Sequence, residues 1–203
     1  MHQEILTASQ KKLLPYLKVF AKDFGLVGGT AIALQIGHRQ SIDFDLFSSE
    51  EFDNSKLRQA VSSIGKINQV IKDEKNHYEL VVDGVRLTFL YYPYKIAFEE
   101  KLDSYINMPG LLTLSAMKAY ALGRRAKWKD YIDLYFVMRD FYGIEEIAKE
   151  ANKIFGKEFN EKNLRIQLAY FKDIDRSEKV IFMPRHKISD QEIQKALVGW
   201  SVS

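Results

Sequence analysis

The chain has no cysteine and only four prolines among its 203 residues. Without thiols there is no thiolate nucleophile, no disulfide staple and no cysteine-ligated zinc. Long hydrophobic runs are missing too: nothing approaches the ~18–20 apolar residues that cross a bilayer. The richest early stretch, Leu13 to Phe20, is broken by Pro15 and Lys18 and lacks the layout of a secretory signal. Neither sign of charge dominates. Thirty Lys and Arg against 27 Asp and Glu leave a net +3, and the pI near 8.8 permits a nucleic-acid partner without demanding one. There is no internal repeat, low-complexity tract or Gly/Ser-rich linker. What is present is 46% hydrophobic and 13% aromatic residues, ample for a packed core. The expectation is a cytoplasmic globular protein of one or two domains with no membrane partner.

The period of the apolar residues changes along the chain. Gln3 to Asp23 reads as helix, with Pro15 marking a kink or restart. Phe24–Val27 reads as a short buried strand ending at Gly28-Gly29, and Thr30–Ile36 as a two-turn helix closed by Gly37. Ser41–Phe47 alternates strictly, placing Ile42, Phe44 and Leu46 on one face of a strand and Asp43 and Asp45 on the other. A surface loop and amphipathic helix follow, then strands at 67–72, 77–82 and 85–92. Asp83-Gly84 predicts a two-residue type I′ turn between the last two. From Leu111 onward the pattern is helical, over 111–122, 128–142, 144–155, 161–171 and 191–200, the last behind the capping box Ser189–Glu192. Strands and helices in separate blocks predict an α+β domain over 1–108 and a helical bundle over 109–203, with a loop near Asn107–Gly110 between them.

The segment from Val27 to Leu46 carries the chemistry. Glycines let a ligand approach the backbone, and a helix N-terminus offers unpaired N–H groups, so Gly28, Gly29 and Thr30 suit a di- or triphosphate. Two carboxylates two residues apart on a strand point the same way, roughly 6–7 Å apart along it. Such a pair holds Mg²⁺ together with phosphate oxygens. Taken singly, the glycines also read as a plain tight turn and the aspartates as a solvated strand face. His38 and Arg39 read either as phosphate contacts or as surface loop residues. No histidine shows metal-ligand spacing.

This segment resembles the signature of the DNA polymerase β-type nucleotidyltransferases: a hydrophobic residue, two small residues, a spacer of about a dozen, then Asp-x-Asp. Thirteen residues separate Gly29 from Asp43. More narrowly, Gly28-Gly-Thr-Ala31 with Ser41-Ile-Asp-Phe-Asp-Leu-Phe47 resembles the AbiEii/AbiGii toxin family, related to the MenT toxins. The resemblance continues in Leu114–Leu122 and Lys129–Phe136. It implies a polymerase β-like fold and a Mg²⁺-dependent transfer of a nucleoside monophosphate from an NTP to an acceptor. The acceptor it implies is RNA at a tRNA 3′ end, the role that of a toxin in abortive infection, and the partner a cognate antitoxin.

The helical half adds further candidates. Lys118 stands among Leu114, Ser115, Ala121 and Leu122, an apolar setting where a lysine either needs a partner or snorkels. The resemblance implies that it faces the nucleotide phosphates and that Asp130 belongs to the same site, orienting it. Asp130 also reads as an N-terminal carboxylate favoured by the helix dipole, and Asp133 lies one turn further on. Arg124, Arg125, Lys127 and Lys129 crowd one connection around Trp128, which reads as a nucleic-acid contact or as a solvated basic turn. Many polymerase β-type enzymes place a third carboxylate on a later strand. Here Thr88 stands in that place, and either Glu79, opposite it across the predicted hairpin, supplies the charge or the third ligand is missing. Two alternatives remain open: an antibiotic-modifying nucleotidyltransferase, and an inactive module of the same fold that binds nucleotide or nucleic acid.

Overall fold

Helix caps, a proline and strict alternation shape the first half of the chain in the computed structural model, which describes every residue from Met1 to Ser203. Thr7 opens α1 (Ala8–Leu13) with a side chain that accepts from the Gln10 amide, and Gln10 answers to the Thr7 backbone in a capping box. The helical stretch predicted over Gln3–Asp23, with a kink or restart at Pro15, is in three pieces. A 3₁₀ turn at Gln3–Ile5 precedes α1, and Pro15, with no N–H to give, opens a tighter 3₁₀ stretch over Leu14–Val19. Next come β1 (Gly25–Val27), α2 (Gly28–Ile36), β2 (Asp43–Ser48), α3 (Asn54–Ser62), β3 (Ile67–Glu74), β4 (His77–Val82) and β5 (Val85–Tyr91).

Five strands form one mixed sheet in the order β1-β2-β5-β4-β3. Only the β2–β5 seam is parallel; the other pairs are antiparallel. The β4–β5 hairpin turns at Asp83 (φ +48°) and Gly84 (φ +78°), both in the left-handed region that a type I′ turn requires. One face of the sheet is the core: Phe44, Leu46, Leu80, Leu87 and Phe89 are fully buried. Phe20 and Phe24 meet Phe89 edge-on, with ring centroids 5.0 and 5.2 Å apart. Ile42, predicted to share that face, lies before the strand begins and is 52% exposed. A second correction concerns the loop expected near Asn107–Gly110. Its first residues belong to a small hairpin, β6 (Glu100–Leu102) and β7 (Ile106–Met108). Strands of three residues are too short for alternation to reveal.

The chain divides into two compact units, Met1–Gly110 and Leu111–Ser203. The second holds α4 (Leu111–Leu122), α5 (Trp128–Asp140), α6 (Ile144–Phe155), α7 (Glu161–Leu168) and α8 (Asp190–Ser201). The eight residues from Leu114 to Leu122 other than Ala121 are all buried, so α4 is the helix around which this unit is built. By contrast α6 buries only a stripe, Ile144, Ile147, Ala148, Ala151 and Phe155, which is the spacing of one helical face. Ser189 caps α8 by accepting from the Glu192 amide. The class is α+β, a mixed sheet with helices followed by a helical region, and no helix is long and apolar enough to cross a membrane.

Candidate functional site

Alternation along β2 aims its two aspartates. Phe44 and Leu46 are fully buried on the core side, which turns Asp43 and Asp45 to the opposite, half-buried face. Sheet register then sets their neighbours. Asp43 is level with Arg86 on β5, and Asp45 lies level with Val27 on one side and Thr88 on the other. The first residue of α2 completes the arrangement. Gly28 has φ +72°, and a Cβ placed there would stand 2.2 Å from Asp45 Oδ2. The Asp45 carboxylate occupies the space that any other residue at 28 would fill. No side chain caps α2, because its N-cap position is Val27. Its first N–H groups are therefore left to something other than a capping side chain.

Thr30 and Arg39, both candidates for the nucleotide, are placed inside the fold. Thr30 is 1% exposed, and its hydroxyl bonds with the Ser41 hydroxyl (2.8 Å) and the Asp43 carbonyl, tying α2 to the start of β2. Arg39 is 2% exposed with Nη1 donating to the Gln40 carbonyl at 3.0 Å, and His38 is fully buried beside it in sequence. Glu79 is level with Thr88, two strands away from Asp45. Its Oε1 accepts from Arg86 Nε at 2.8 Å, so its charge is already matched. No three His, Asp or Glu side chains group where they could hold a metal.

In the helical unit, Lys118 has the partner its apolar setting calls for. Its Nζ lies 2.7 Å from Asp130 Oδ1 and 3.1 Å from Asp133 Oδ2. All three side chains are at least nine-tenths buried, at 7%, 3% and 0% exposure. Arg125 Nε reaches Asp130 Oδ2 from a half-exposed position at 3.2 Å. The result is a ladder of alternating charge running inward from Arg125 through Asp130 and Lys118 to Asp133. Tyr131, between the aspartates in sequence, donates to the Tyr170 carbonyl at 3.2 Å, and its phenol is pushed up to about 12 by burial, with the charge on Asp130 adding to it.

The basic turn is not simply solvated. Arg124 pairs with Glu158 at 3.4 Å and stacks over the Tyr120 ring at 3.5 Å. Lys127 and Lys129 both pair with Glu178, at 2.7 and 2.9 Å. Trp128 is 5% exposed, and its Nε1 donates to Asp190 at 3.1 Å. Asp133, noted only for its spacing, proves to be the inner end of the ladder. Glu158 and Glu178 leave no signal in the sequence: they lie 34 to 51 residues beyond the cations they meet, and no period links them.

A mixed sheet with paired aspartates, followed along the chain by a helical region, is the make-up of a nucleotidyltransferase. Residues 16–100 match the family model described as nucleotidyl transferase AbiEii toxin, type IV toxin–antitoxin system. An uncharacterised Aquifex aeolicus protein, aq_aa25, is 32% identical over 158 residues, covering 74% of this chain and 75% of that one. Over residues 16–100 the chain carries the AbiEii nucleotidyltransferase toxin domain, and it belongs to one family with aq_aa25. Solved structures share the fold at lower identity. The nucleotidyltransferase toxin MenT4 of Mycobacterium tuberculosis has a TM-score of 0.61 at 15% identity over 95% of this chain and 80% of that one. JHP933 of Helicobacter pylori has a TM-score of 0.56 at 16% identity, covering 96% and 89%. The antibiotic-resistance factor ANT(2″)-Ia gives 0.52 at 12%, covering 75% and 92%.

Proposed function

We propose that this protein transfers a nucleoside monophosphate from an NTP to an RNA acceptor, at a tRNA 3′ end, and that this is how it acts as a toxin. In that reaction the acceptor's hydroxyl oxygen bonds to the α-phosphorus, the bond to the bridging oxygen breaks, and pyrophosphate leaves. The hydroxyl proton passes to solvent. The observation that carries the reading is the pairing of Asp43 and Asp45 on one face of β2, with Asp45 against Gly28 at the uncapped start of α2. A helix N-terminus favours phosphate, yet a carboxylate beside it repels phosphate. A hard cation would resolve the conflict, and two carboxylates plus phosphate oxygens are the donor set Mg²⁺ takes. Asp43 and Asp45 would hold that Mg²⁺, and when bound it would supply positive charge to the transferring phosphate.

Gly28 and Gly29 bring backbone N–H groups to the phosphates, and Lys118, oriented by Asp130, supplies positive charge to them. Thr30 serves by fixing α2 against β2, and the buried Arg39 brings its positive charge into the segment between them. Arg124, Arg125, Lys127 and Lys129 receive the acceptor's backbone. A cognate antitoxin would then act by stopping label transfer. The division of labour follows the two domains, 1–108 for the nucleotidyltransferase chemistry and 109–203 for the helical bundle.

The test is incubation with each α-³²P-labelled NTP, Mg²⁺ and total bacterial RNA, beside the Asp43→Ala/Asp45→Ala protein. Label entering a tRNA-sized band with wild type only is the expected result. Equal labelling by the double variant would refute the assignment. A second reading, a module that binds nucleotide without turnover, draws on one observation: Glu79 is engaged by Arg86, and no third acid joins the two aspartates. Mg²⁺-independent NTP binding without pyrophosphate release for any acceptor would favour it. Resistance to a cationic antibiotic on expression would instead favour the drug-modifying reading.

A further inference from the structure

Between the end of α7 at Leu168 and the start of α8 at Asp190 the chain forms no α-helix, and part of it lies along the basic turn. Two backbone hydrogen bonds fasten it. The Trp128 amide donates to the Asp175 carbonyl at 2.9 Å, and the Asp175 amide donates to the Ala126 carbonyl at 2.8 Å. Asp175 then accepts from the Ser177 amide at 2.9 Å, a tight local turn that carries the chain on to Glu178. There the two carboxylate oxygens part company. Oε1 takes Lys127 Nζ at 2.7 Å and Oε2 takes Lys129 Nζ at 2.9 Å. One anionic group bridging two ammonium groups through separate oxygens is also how a phosphodiester's two non-bridging oxygens would sit between them. Alongside, the Arg176 guanidinium lies 4.1 Å over the Trp128 ring and pairs with Asp190. The flat aromatic surface of the turn is covered by the same segment.

The carboxylate stays charged in this place. Burial would raise its pKa, but the hydrogen bonds from Lys127 and Lys129 outweigh that and hold it at about 2. The grip is nevertheless light. Glu178 and Lys127 are more than a third exposed and Lys129 is 15% exposed, and ion pairs that reach solvent in this way are individually weak and yield to competing anions. A multivalent polyanion competes on better terms than a single carboxylate, because each phosphate it seats releases condensed counterions.

We propose that residues 172–178 form an autoinhibitory strap: Glu178 holds, between Lys127 and Lys129, the place of an acceptor phosphate, and RNA binds by displacing it. This rests on the reading of RNA as acceptor. The strap makes acceptor binding a competition rather than a simple docking. It favours long, flexible polyanions over mononucleotides, which bring too few phosphates to pay for lifting it.

The test compares wild type, Glu178→Gln and Glu178→Gln/Lys127→Ala/Lys129→Ala in fluorescence anisotropy with a labelled single-stranded RNA across a salt series. Removing the internal anion should tighten binding roughly 3- to 30-fold at low salt, the range expected for losing two weak ion pairs to one solvent-reachable carboxylate. The log K against log salt slope should stay as in wild type, because the same phosphates are seated once the strap is displaced. The triple variant should lose the gain and flatten that slope by about 0.7–1.4, the one to two phosphate contacts it no longer makes. Hydrogen exchange on the wild-type protein supplies a measurement that needs no variant: saturating RNA should speed exchange at the Trp128 and Asp175 amides. Glu178→Gln binding no tighter than wild type, with NTP binding and circular dichroism unchanged, overturns the strap. So does slower exchange at those two amides, because RNA would then seat on a closed strap. If no protein binds RNA at low salt while NTP binding persists, the acceptor reading itself fails and takes the strap with it.

Discussion

Replacing Lys118 by methionine keeps the unbranched stem and removes the ammonium that Asp130 and Asp133 share. Asp130 retains Arg125 at 3.2 Å, and Asp133, with 0% exposure, loses the ammonium 3.1 Å from its Oδ2. Removing one partner of a buried ion pair costs about 3–5 kcal/mol, because the remaining charge stays out of water. The inner half of the ladder puts Lys118→Met within that range. For a chain of this size each kcal/mol lowers the melting temperature by about 2–4 °C, so a fall of roughly 6–20 °C is expected. The informative experiment is a cycle. Adding Asp133→Asn to Lys118→Met removes the buried charge that lost its ammonium, and thermal unfolding should show the double variant more stable than Lys118→Met by roughly 1–3 kcal/mol, the coupling range for groups in contact. Lys118→Met within about 1 kcal/mol of wild type would refute the claim that Lys118 compensates buried charge. So would costs in the two single variants that simply add.

Three further outcomes follow from single positions. Gly28→Ala puts a Cβ 2.2 Å from Asp45 Oδ2 at φ +72°; label transfer should fall about a hundredfold, the effect of an ångström-scale misplacement, and unchanged transfer would show that Asp45 need not rest there. Gly84→Ala meets nothing within 4 Å at φ +78°, so it isolates backbone strain; urea unfolding should report a loss of about 1–2 kcal/mol with label transfer intact, and a larger loss would contradict an open turn. Tyr131 holds its proton to about pH 12 when folded, against about 10 for an exposed phenol. The folded state therefore binds the extra proton between those values, and stability should be full below pH 10 and decline as the pH rises through 12. Tyr131→Phe should flatten that decline in a pH series of melting temperatures, and an equally steep decline would remove Tyr131 as its source.

What could be read from the residues depended on whether neighbours in sequence were neighbours in space. The aspartate face of β2 was legible because a strand's period is two and Phe44 and Leu46 had to go inward. The Asp83-Gly84 turn was legible because few dipeptides accept two consecutive positive φ angles. Lys118 announced itself by sitting among apolar residues on α4, and Asp130 lay one helix on. Ile42 misled: it continues the alternation of β2 but precedes its first paired residue. Pro15 was visible as a break, yet not the 3₁₀ stretch it begins. Thr30 and Arg39 looked available to a ligand because sequence does not say which way a helix or loop rolls against its sheet. Glu178 could not be found at all, since an irregular segment carries no period and its partners precede it by about fifty residues.

The parallel seam between β2 and β5 has a consequence for the order of assembly. Parallel neighbours cannot be joined by a tight turn, so Asp43 meets Arg86 only after α3, β3 and β4 have intervened. Contacts that close so long a stretch of chain form slowly, while the β4–β5 hairpin, pinned by its two-residue turn, is local and fast. Pulse-labelled hydrogen exchange should protect the amides of β4 and β5 before those of β2, and simultaneous protection would contradict this order. A nascent chain that stops short of Tyr91 therefore carries both aspartates without the strand that sets their neighbours, and the protein's carboxylate face is completed only when synthesis has passed well beyond it.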